Sequence, residues 1–194
     1  ADVLTHAVEG YTASNAGTIP DLLAQDAFRT AFACLPASYA GDKSVRLRLH
    51  MASTLAGIAF SRSGLGLCHA MAHVLGGRFH IPHGRLNAIL LPAVISGNAP
   101  AVQAKYARLA RAAGLGGSAD TIALRNLKNG LIRLRKDLGL PQTLSQAGAP
   151  PAQVWAAAGE IVEAVLADPC CKTNPVPMED YLVRRVLEEV TGNF

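Results

Sequence analysis

Residues 68–87, CHAMAHVLGGRFHIPHGRLN, contain four of the six histidines of this 194-residue chain. His69 and His73 are four residues apart, so on a helix their side chains project from one face, one turn apart. This spacing allows two ligands to one metal ion, or one ligand and one neighbouring group. Pro82 restricts the backbone in front of His83, which favours a place for this imidazole at the start of a new helix, facing a cleft.

A second pair of candidate ligands stands at the beginning of the chain, in the sequence ADVLTH. Asp2 and His6 have the same spacing of four and combine a carboxylate with an imidazole. Imidazole nitrogens with one carboxylate oxygen suit Fe(II) or Zn(II) better than Mg(II) or Ca(II), which prefer oxygen ligands. A single histidine pair at this spacing is more often core or surface filler, but two such pairs together predict one metal site.

The composition predicts one all-α domain over residues 1–194, a bundle of roughly eight helices. Half of the side chains are apolar and 5% are aromatic, so hydrophobic pattern and intrinsic propensity both favour helices over strands. The longest apolar helix runs through LHMASTLAGIAFS (residues 49–61); we expect it to be buried on all sides at the centre of the bundle, with His50 in a structural role. The histidine-rich helix is expected to break at Gly76 and Gly77.

Charge, cysteines and hydropathy limit the class of protein. The formal charge of +4 comes from dispersed Lys and Arg side chains, so no nucleic-acid partner is expected. The four cysteines form no CxxC pair, which fits a reducing cytoplasm. The longest apolar run, residues 88–95, contains Pro92 and is far shorter than the roughly 20 residues that span a bilayer. We therefore expect a cytoplasmic protein without a membrane partner.

Three segments resemble the iron-dependent (group III) alcohol dehydrogenases. DVLTHAVEGYTASNAGTIPDLLAQDA resembles the family segment with an Asp-x-x-x-His pair, and GLGLCHAMAHVLGGRFHIPHGRLNAILLP resembles its longer signature. DPCCKTNPVPMEDYLVRRVLEEV is similar to the family's C-terminal ending. The variant RFHIPHGRLNAILLP is similar to the propanol and ethanol dehydrogenases of propanediol and ethanolamine breakdown. The resemblance covers nearly the whole chain.

The resemblance implies a role for each candidate residue. It assigns four metal ligands: Asp2, His6, His69 and His83. The histidine at the position of His73 lies beside the ligands in this family and faces nicotinamide and substrate, so His73 is implied as the cofactor-binding residue and the catalytic proton relay. Phe60 and Cys170 fall where the family lines its substrate pocket, although a core phenylalanine and an inert thiol are equally compatible with the sequence.

The implied protein is the C-terminal, dehydroquinate synthase-like helical domain of an NAD(P)-dependent alcohol dehydrogenase. The metal, Fe(II) or alternatively Zn(II), acts as a Lewis acid that lowers the pKa of the alcohol while hydride passes between substrate and NAD(H) or NADP(H). His73 moves the proton, a task suited to an imidazole. The substrates are small primary alcohols and aldehydes. The resemblance also implies a homo-oligomer located in the cytoplasm or within a bacterial microcompartment.

The α/β dinucleotide-binding half of this family has no counterpart in the sequence. GLGL at Gly64 follows no predicted strand, and GLGGS at Gly114 is typical of a loop, so neither fits a phosphate-binding turn. The chain also begins at Ala1 without Met. We therefore expect a fragment that lacks dehydrogenase activity and exposes an apolar face. Turnover of NADH and propanal at a rate typical of an intact enzyme would contradict this expectation.

Two other classes of function compete with the dehydrogenase. A helical metal-dependent hydrolase also uses His and Asp ligands, but that class commonly places them in an HD dipeptide, which the sequence lacks. A metal-binding module without catalysis is the second alternative. Zinc-dependent glycerol dehydrogenases share the fold, so composition alone does not separate them from the iron-dependent enzymes.

Overall fold

The computed structural model describes residues 1–192, and within that range the chain is helical and without strands. The helices are α1 Asp2–Thr12, α2 Thr18–Tyr39, α3 Arg46–Ser63, α4 Leu67–Phe79, α5 His83–Ala112, α6 Asp120–Asp137, α7 Leu144–Ala147, α8 Pro151–Ala156, α9 Ala158–Ala167 and α10 Asp180–Thr191, with a 3-10 turn at Pro169–Thr173. The predicted all-α class is confirmed. Across this part of the chain, no helix has the length and apolar character to cross a membrane.

The core is organised around α5. This helix packs against α1, α2, α4, α6, α7 and α10, and its side chains Leu86, Ile89, Leu90 and Ile95 are fully buried. Since apolar burial is the main favourable term in folding, α5 supplies the central part of the core, on which most of the other helices pack. Its first turn also carries His83, so the packing of the core fixes the position of a candidate ligand.

The prediction of α3 as the buried central helix is wrong. Its buried residues are four small ones: Ala52, Ala56, Ala59 and Ser63. These form a single stripe at helical spacing, which lets α3 approach α1 and α2 closely. Leu47, Met51 and Ile58 are 71%, 53% and 50% exposed, and His50 is exposed as well. The apolar composition of α3 did not show which of its faces is covered by other helices. The predicted structural role of His50 is also wrong, because its side chain is exposed.

Helix α4 continues through the two glycines at which a break was expected. A Cβ at Gly76 would lie 3.3 Å from Cδ1 of Leu86, so this glycine permits close packing of α4 on α5. The helix ends at Phe79, and the next residue, His80, adopts the left-handed conformation with φ of 54°. The link to α5 is therefore very short and keeps His83 next to α4.

Two glycines, Gly57 within α3 and Gly64 directly after it, give a prediction about stability. Gly57 lies within the helix with nothing near its missing Cβ, so Gly57→Ala raises the free energy of unfolding by about 0.5–1 kcal/mol. Gly64 has φ 85° and ψ −176°, a region almost restricted to glycine, and a Cβ there would overlap the Thr173 side chain. Gly64→Ala therefore lowers the free energy of unfolding by about 2 kcal/mol or more. Urea denaturation followed by circular dichroism checks both; equal stability of the two variants would contradict the argument.

Candidate metal centre

Three helix segments bring the predicted ligands close to one another: Asp2, His6 and His69 form one group, and His83 lies beside Asp2 but outside that group. Asp2 and His6 lie one turn apart at the start of α1, His69 lies near the start of α4, and His83 begins α5. Oδ1 of Asp2 is 3.8 Å from Nε2 of His69 and 3.6 Å from Nε2 of His83. Oδ2 of Asp2 is 3.8 Å from Nδ1 of His6. One ligand atom from each of Asp2, His6 and His69 fits within a mutual distance of 4.8 Å, a separation that one cation can bridge.

The amide of Asn87 marks the point on which the acceptor atoms converge. Its Nδ2 is 2.5 Å from Oδ1 of Asp2, 3.0 Å from Nε2 of His83 and 3.4 Å from Nε2 of His69. An amide nitrogen carries two hydrogens, so it cannot satisfy three acceptors fully. Two imidazole nitrogens close to one carboxylate oxygen are a donor set that suits Fe(II) or Zn(II).

A buried carboxylate, Glu9, holds His69 in this orientation. Oε2 of Glu9 is 2.6 Å from Nδ1 of His69, and both side chains are almost inaccessible to solvent. An ionised carboxylate can only accept, so Nδ1 of His69 carries a proton and donates it to Glu9. Carboxylate partners of this kind fix the tautomer of a metal-ligating histidine and raise its basicity.

The same carboxylate caps α4. Glu9 also accepts from the backbone N–H groups of Gly66, Cys68 and His69, at 3.1, 2.7 and 3.4 Å. Oδ1 of Asn174 accepts from the N–H of Leu67 at 3.1 Å. The first N–H groups of a helix have no partner within it and favour negative charge. Helix α4 therefore receives its cap from α1 and from the C-terminal region rather than from a local side chain.

Burial favours the neutral form of two of the imidazoles. Desolvation lowers the pKa of His6, although the charge of Asp2 opposes this effect. The pKa of His83 is lowered in the same way. The ring of His6 lies between the rings of Phe60 and His69, with centroid distances of 4.5 and 4.6 Å. The structure therefore places Phe60 beside the candidate ligands, on His6.

The hydrogen bond of His73 is made with a residue outside the four candidate ligands. Its Nδ1 is 2.9 Å from Oδ2 of Asp168, and it forms a separate cluster with Asp168 and Cys170. The structure therefore does not support the alternative in which His69 and His73 chelate one ion together. The rings of His73 and His83 are nevertheless stacked at 5.4 Å, so His73 lies at the edge of the centre.

Asp168 and Cys170 form the surroundings of His73. Burial raises the pKa of Asp168, but the N–H of Cys170 and the ring of His73 lower it more, so the net pKa is below its usual value. Burial, together with the neighbouring Asp168, raises the pKa of the Cys170 thiol to about 12. Cys170 is therefore a neutral thiol near His73, and its predicted place in a substrate pocket stays a prediction.

Sequence reasoning missed three residues of this centre: Glu9, Asn87 and Asp168. Helical spacing was a usable signal for two of them, since Glu9 lies seven residues after Asp2 and Asn87 lies four after His83, each on the same helix face. No spacing links Asp168 to His73, because they are 95 residues apart in the chain.

The chain is therefore an all-α domain in which imidazole and carboxylate side chains lie close enough together to form a candidate metal centre. The chain belongs to the Fe-containing alcohol dehydrogenase family: it matches the C-terminal part of that family over residues 1–191. The family predicted from its sequence motifs is confirmed. This membership does not favour the hydrolase or the non-catalytic module.

Relatives of known activity and a solved structure agree with the assignment. The chain is 42% identical to 1-propanol dehydrogenase PduQ of Citrobacter freundii, over 97% of the chain and 53% of the relative. It is 37% identical to the NADPH-dependent butanol dehydrogenase of Clostridium saccharobutylicum, over 96% and 48%. The structure of a 1,3-propanediol oxidoreductase superimposes with a TM-score of 0.91 at 33% identity, over 97% and 49%. The chain spans about half the length of the curated relatives it matches.

Proposed function

We propose that this chain is the metal-binding catalytic part of an NAD(P)-dependent alcohol dehydrogenase. The enzyme interconverts small primary alcohols and aldehydes, such as propanol and propanal or ethanol and acetaldehyde. The observation that carries the proposal is that Oδ1 of Asp2 lies 3.8 Å from Nε2 of His69 and 3.6 Å from Nε2 of His83. The names of the relatives, a 1-propanol and a butanol dehydrogenase, support the choice of substrate class.

The metal would be held by four residues: Asp2, His6, His69 and His83. A divalent ion there supplies Lewis-acid polarisation of the substrate oxygen. The protein contributes the geometry: Glu9 holds His69 with Nε2 toward Asp2, and Phe60 covers the outer face of His6. Because these groups are held in place before substrate binds, little reorganisation is needed during the reaction.

His73 would move the proton. Its Nδ1 is engaged with Asp168, so Nε2 is the atom that takes up a proton from the alcohol during oxidation and returns it to the aldehyde oxygen during reduction. The side chain is 46% exposed, which gives the ring access to solvent for proton exchange. In the same proposal His73 contacts the nicotinamide, and Phe60 and Cys170 line the substrate pocket.

The remaining parts of the proposal follow the family. We propose Fe(II) as the resident ion, with Zn(II) as the alternative that the same donors accept. The redox cofactor is NAD(H) or NADP(H), and the dinucleotide contacts lie mainly on an α/β domain outside these 194 residues. The assembled enzyme is a homo-oligomer without nucleic-acid or membrane partners, in the cytoplasm or within a bacterial microcompartment.

Anaerobic calorimetric titration of Fe(II) and Zn(II) into the metal-stripped chain tests the ligand assignment. His83→Ala removes one proposed ligand, and His50→Ala is the matched control, since His50 is an exposed histidine on α3. We expect the parent chain and the His50→Ala variant to bind one ion per chain. We expect His83→Ala to weaken binding by more than about 100-fold, because loss of a ligand exceeds the usual effect of losing a supporting residue.

Equal affinity of the three proteins would contradict the assignment of His83. Binding that is absent from all three would contradict a site preformed in this chain. A circular dichroism spectrum and a thermal melt of each variant establish that a loss of binding is not a loss of folding. His83 is 39% exposed, so its replacement by alanine leaves little buried space unfilled.

A further inference from the structure

Helix α4 carries two histidines, and each has a carboxylate on its Nδ1. His69 contacts Glu9 at 2.6 Å and His73 contacts Asp168 at 2.9 Å. In a neutral imidazole, a carboxylate that accepts from Nδ1–H leaves Nε2 unprotonated and fixes the direction of the ring. The two imidazoles lie one turn apart on α4, and each is oriented by a carboxylate: His69 by one near the start of the chain and His73 by one near its end.

Asp168 is itself held rigidly. Its Oδ1 accepts from the backbone N–H of Cys170 at 2.8 Å and so caps the 3-10 turn. The following residue is Pro169, which restricts the backbone of Asp168 to the extended conformation observed, with φ −67° and ψ 133°. The carboxylate is 12% exposed. One oxygen is thus occupied by the turn, and only Oδ2 is directed at His73.

The 3-10 turn is in turn attached to the beginning of α4. Oγ1 of Thr173 donates to the carbonyl oxygen of Leu65 at 2.6 Å, and Asn174 caps the N–H of Leu67 at 3.1 Å. The turn packs on α4 and α9. The distance between Asp168 and His73 is therefore set by packed elements rather than by a free loop, as expected of a group whose function is orientation.

We propose that Asp168 is the positioning residue of His73: it fixes the tautomer with the proton on Nδ1 and thereby presents Nε2 for proton transfer. This inference rests on the proposed function for the use of that proton, but the tautomer itself is a property of the chain and is measured without catalysis. Asp168 acts through His73 and contacts none of the four proposed ligands.

The turn gives Asp168→Asn a specific consequence. The N–H of Cys170 needs an acceptor, so the amide oxygen of the introduced asparagine stays on that N–H and its NH2 group faces His73. An NH2 donor forces Nδ1 of His73 to accept, which moves the ring proton to Nε2. The substitution preserves size and reverses the tautomer, whereas Asp168→Glu keeps a carboxylate and is expected to retain it.

Nitrogen NMR of the chain labelled with 15N-histidine tests this inference, since the two tautomers of neutral imidazole give different ring-nitrogen shifts and couplings. We expect Nδ1–H for His73 in the parent chain and in Asp168→Glu, and Nε2–H in Asp168→Asn. His73→Gln assigns the signal. Asp137→Asn, at an exposed position on α6, is the matched control and should leave the spectrum of His73 unchanged.

An unchanged His73 tautomer in Asp168→Asn would overturn the proposal, as would Nε2–H in the parent chain.

Zn(II) titration of the same proteins separates this result from the proposed function. We expect Asp168→Asn to change Zn(II) affinity by less than about threefold, well below the 10–100-fold typical of residues that support a ligand. A larger loss would overturn the view that Asp168 acts on His73 alone. Absence of Zn(II) binding in every protein, with the tautomers as predicted, would count against the metal centre and not against the positioning role.

Discussion

Replacing Glu9 with alanine lowers the free energy of unfolding by about 3–5 kcal/mol, because several buried N–H donors lose the carboxylate that accepts from them. The substitution leaves the Nδ1–H of His69 and the first N–H groups of α4 without their acceptor. Each unsatisfied buried donor costs about 1–3 kcal/mol, reduced where the structure relaxes or water enters. Urea denaturation followed by circular dichroism measures the loss. Glu163→Ala, at an exposed position of α9, is the control and should change stability by less than about 0.5 kcal/mol.

Glu9→Gln separates folding from metal binding. A glutamine retains one acceptor oxygen and the volume of the side chain, so we expect most of the fold to survive. The oxygen opposite His69 loses its charge, and metal affinity should fall by about 10–100-fold, as for other residues that support a ligand. Unchanged affinity in Glu9→Gln would mean that Glu9 serves α4 as a cap and has no part in the metal centre.

The second large effect is stabilisation of the chain by the metal itself. A ligand that binds only the folded state at a concentration of about 1,000 times its Kd adds about 4 kcal/mol to the free energy of unfolding. For a chain of this size that corresponds to a rise in Tm of about 8–16 °C. Scanning calorimetry of the metal-stripped chain with and without Zn(II) or Fe(II) measures the shift, and a chelator should reverse it.

His69→Ala should abolish this shift, and Mg(II) should not produce it in the parent chain. His69 is buried with its ring between those of His6 and His83, so the variant starts from a lower Tm. The quantity to compare is therefore the change caused by metal and not the Tm itself. An equal rise in parent and variant would show that the ion stabilises the chain from another site.

Much of the fold could be predicted because it depends on local pattern. A new helix was expected to begin at His83, as observed, although the preceding helix continues to Phe79 and does not break at Gly76 and Gly77. The wrong predictions concern which face of a helix is buried and which residues pack against it. The apolar sequence of α3 predicted a central helix, but its small residues pack and its large ones, such as Leu47, are exposed. Gly76 predicted a break, but the space it leaves is used for packing by Leu86.

The candidate metal centre was also predicted only in part from the sequence. Spacing of four residues selected the pairs Asp2 with His6 and His69 with His73, because residues one turn apart share a helix face. Spacing did not tell which members would meet. The structure joins His69 to the first pair and turns His73 toward Asp168. This choice depends on hydrogen-bond acceptors supplied by other parts of the chain.

The sequence by itself determined the all-α class and the family, since helical periodicity and sequence motifs are local properties that a single segment displays. The four candidate ligands followed from the resemblance to that family. The tertiary structure decided which nitrogen of each imidazole faces inward. Glu9 is 60 residues from His69 and Asp168 is 95 from His73, and only the packing of α1, α4 and the 3-10 turn brings these carboxylates to the rings. The tautomer of a histidine is set by its hydrogen-bond partner, and that partner is defined only once the chain has folded.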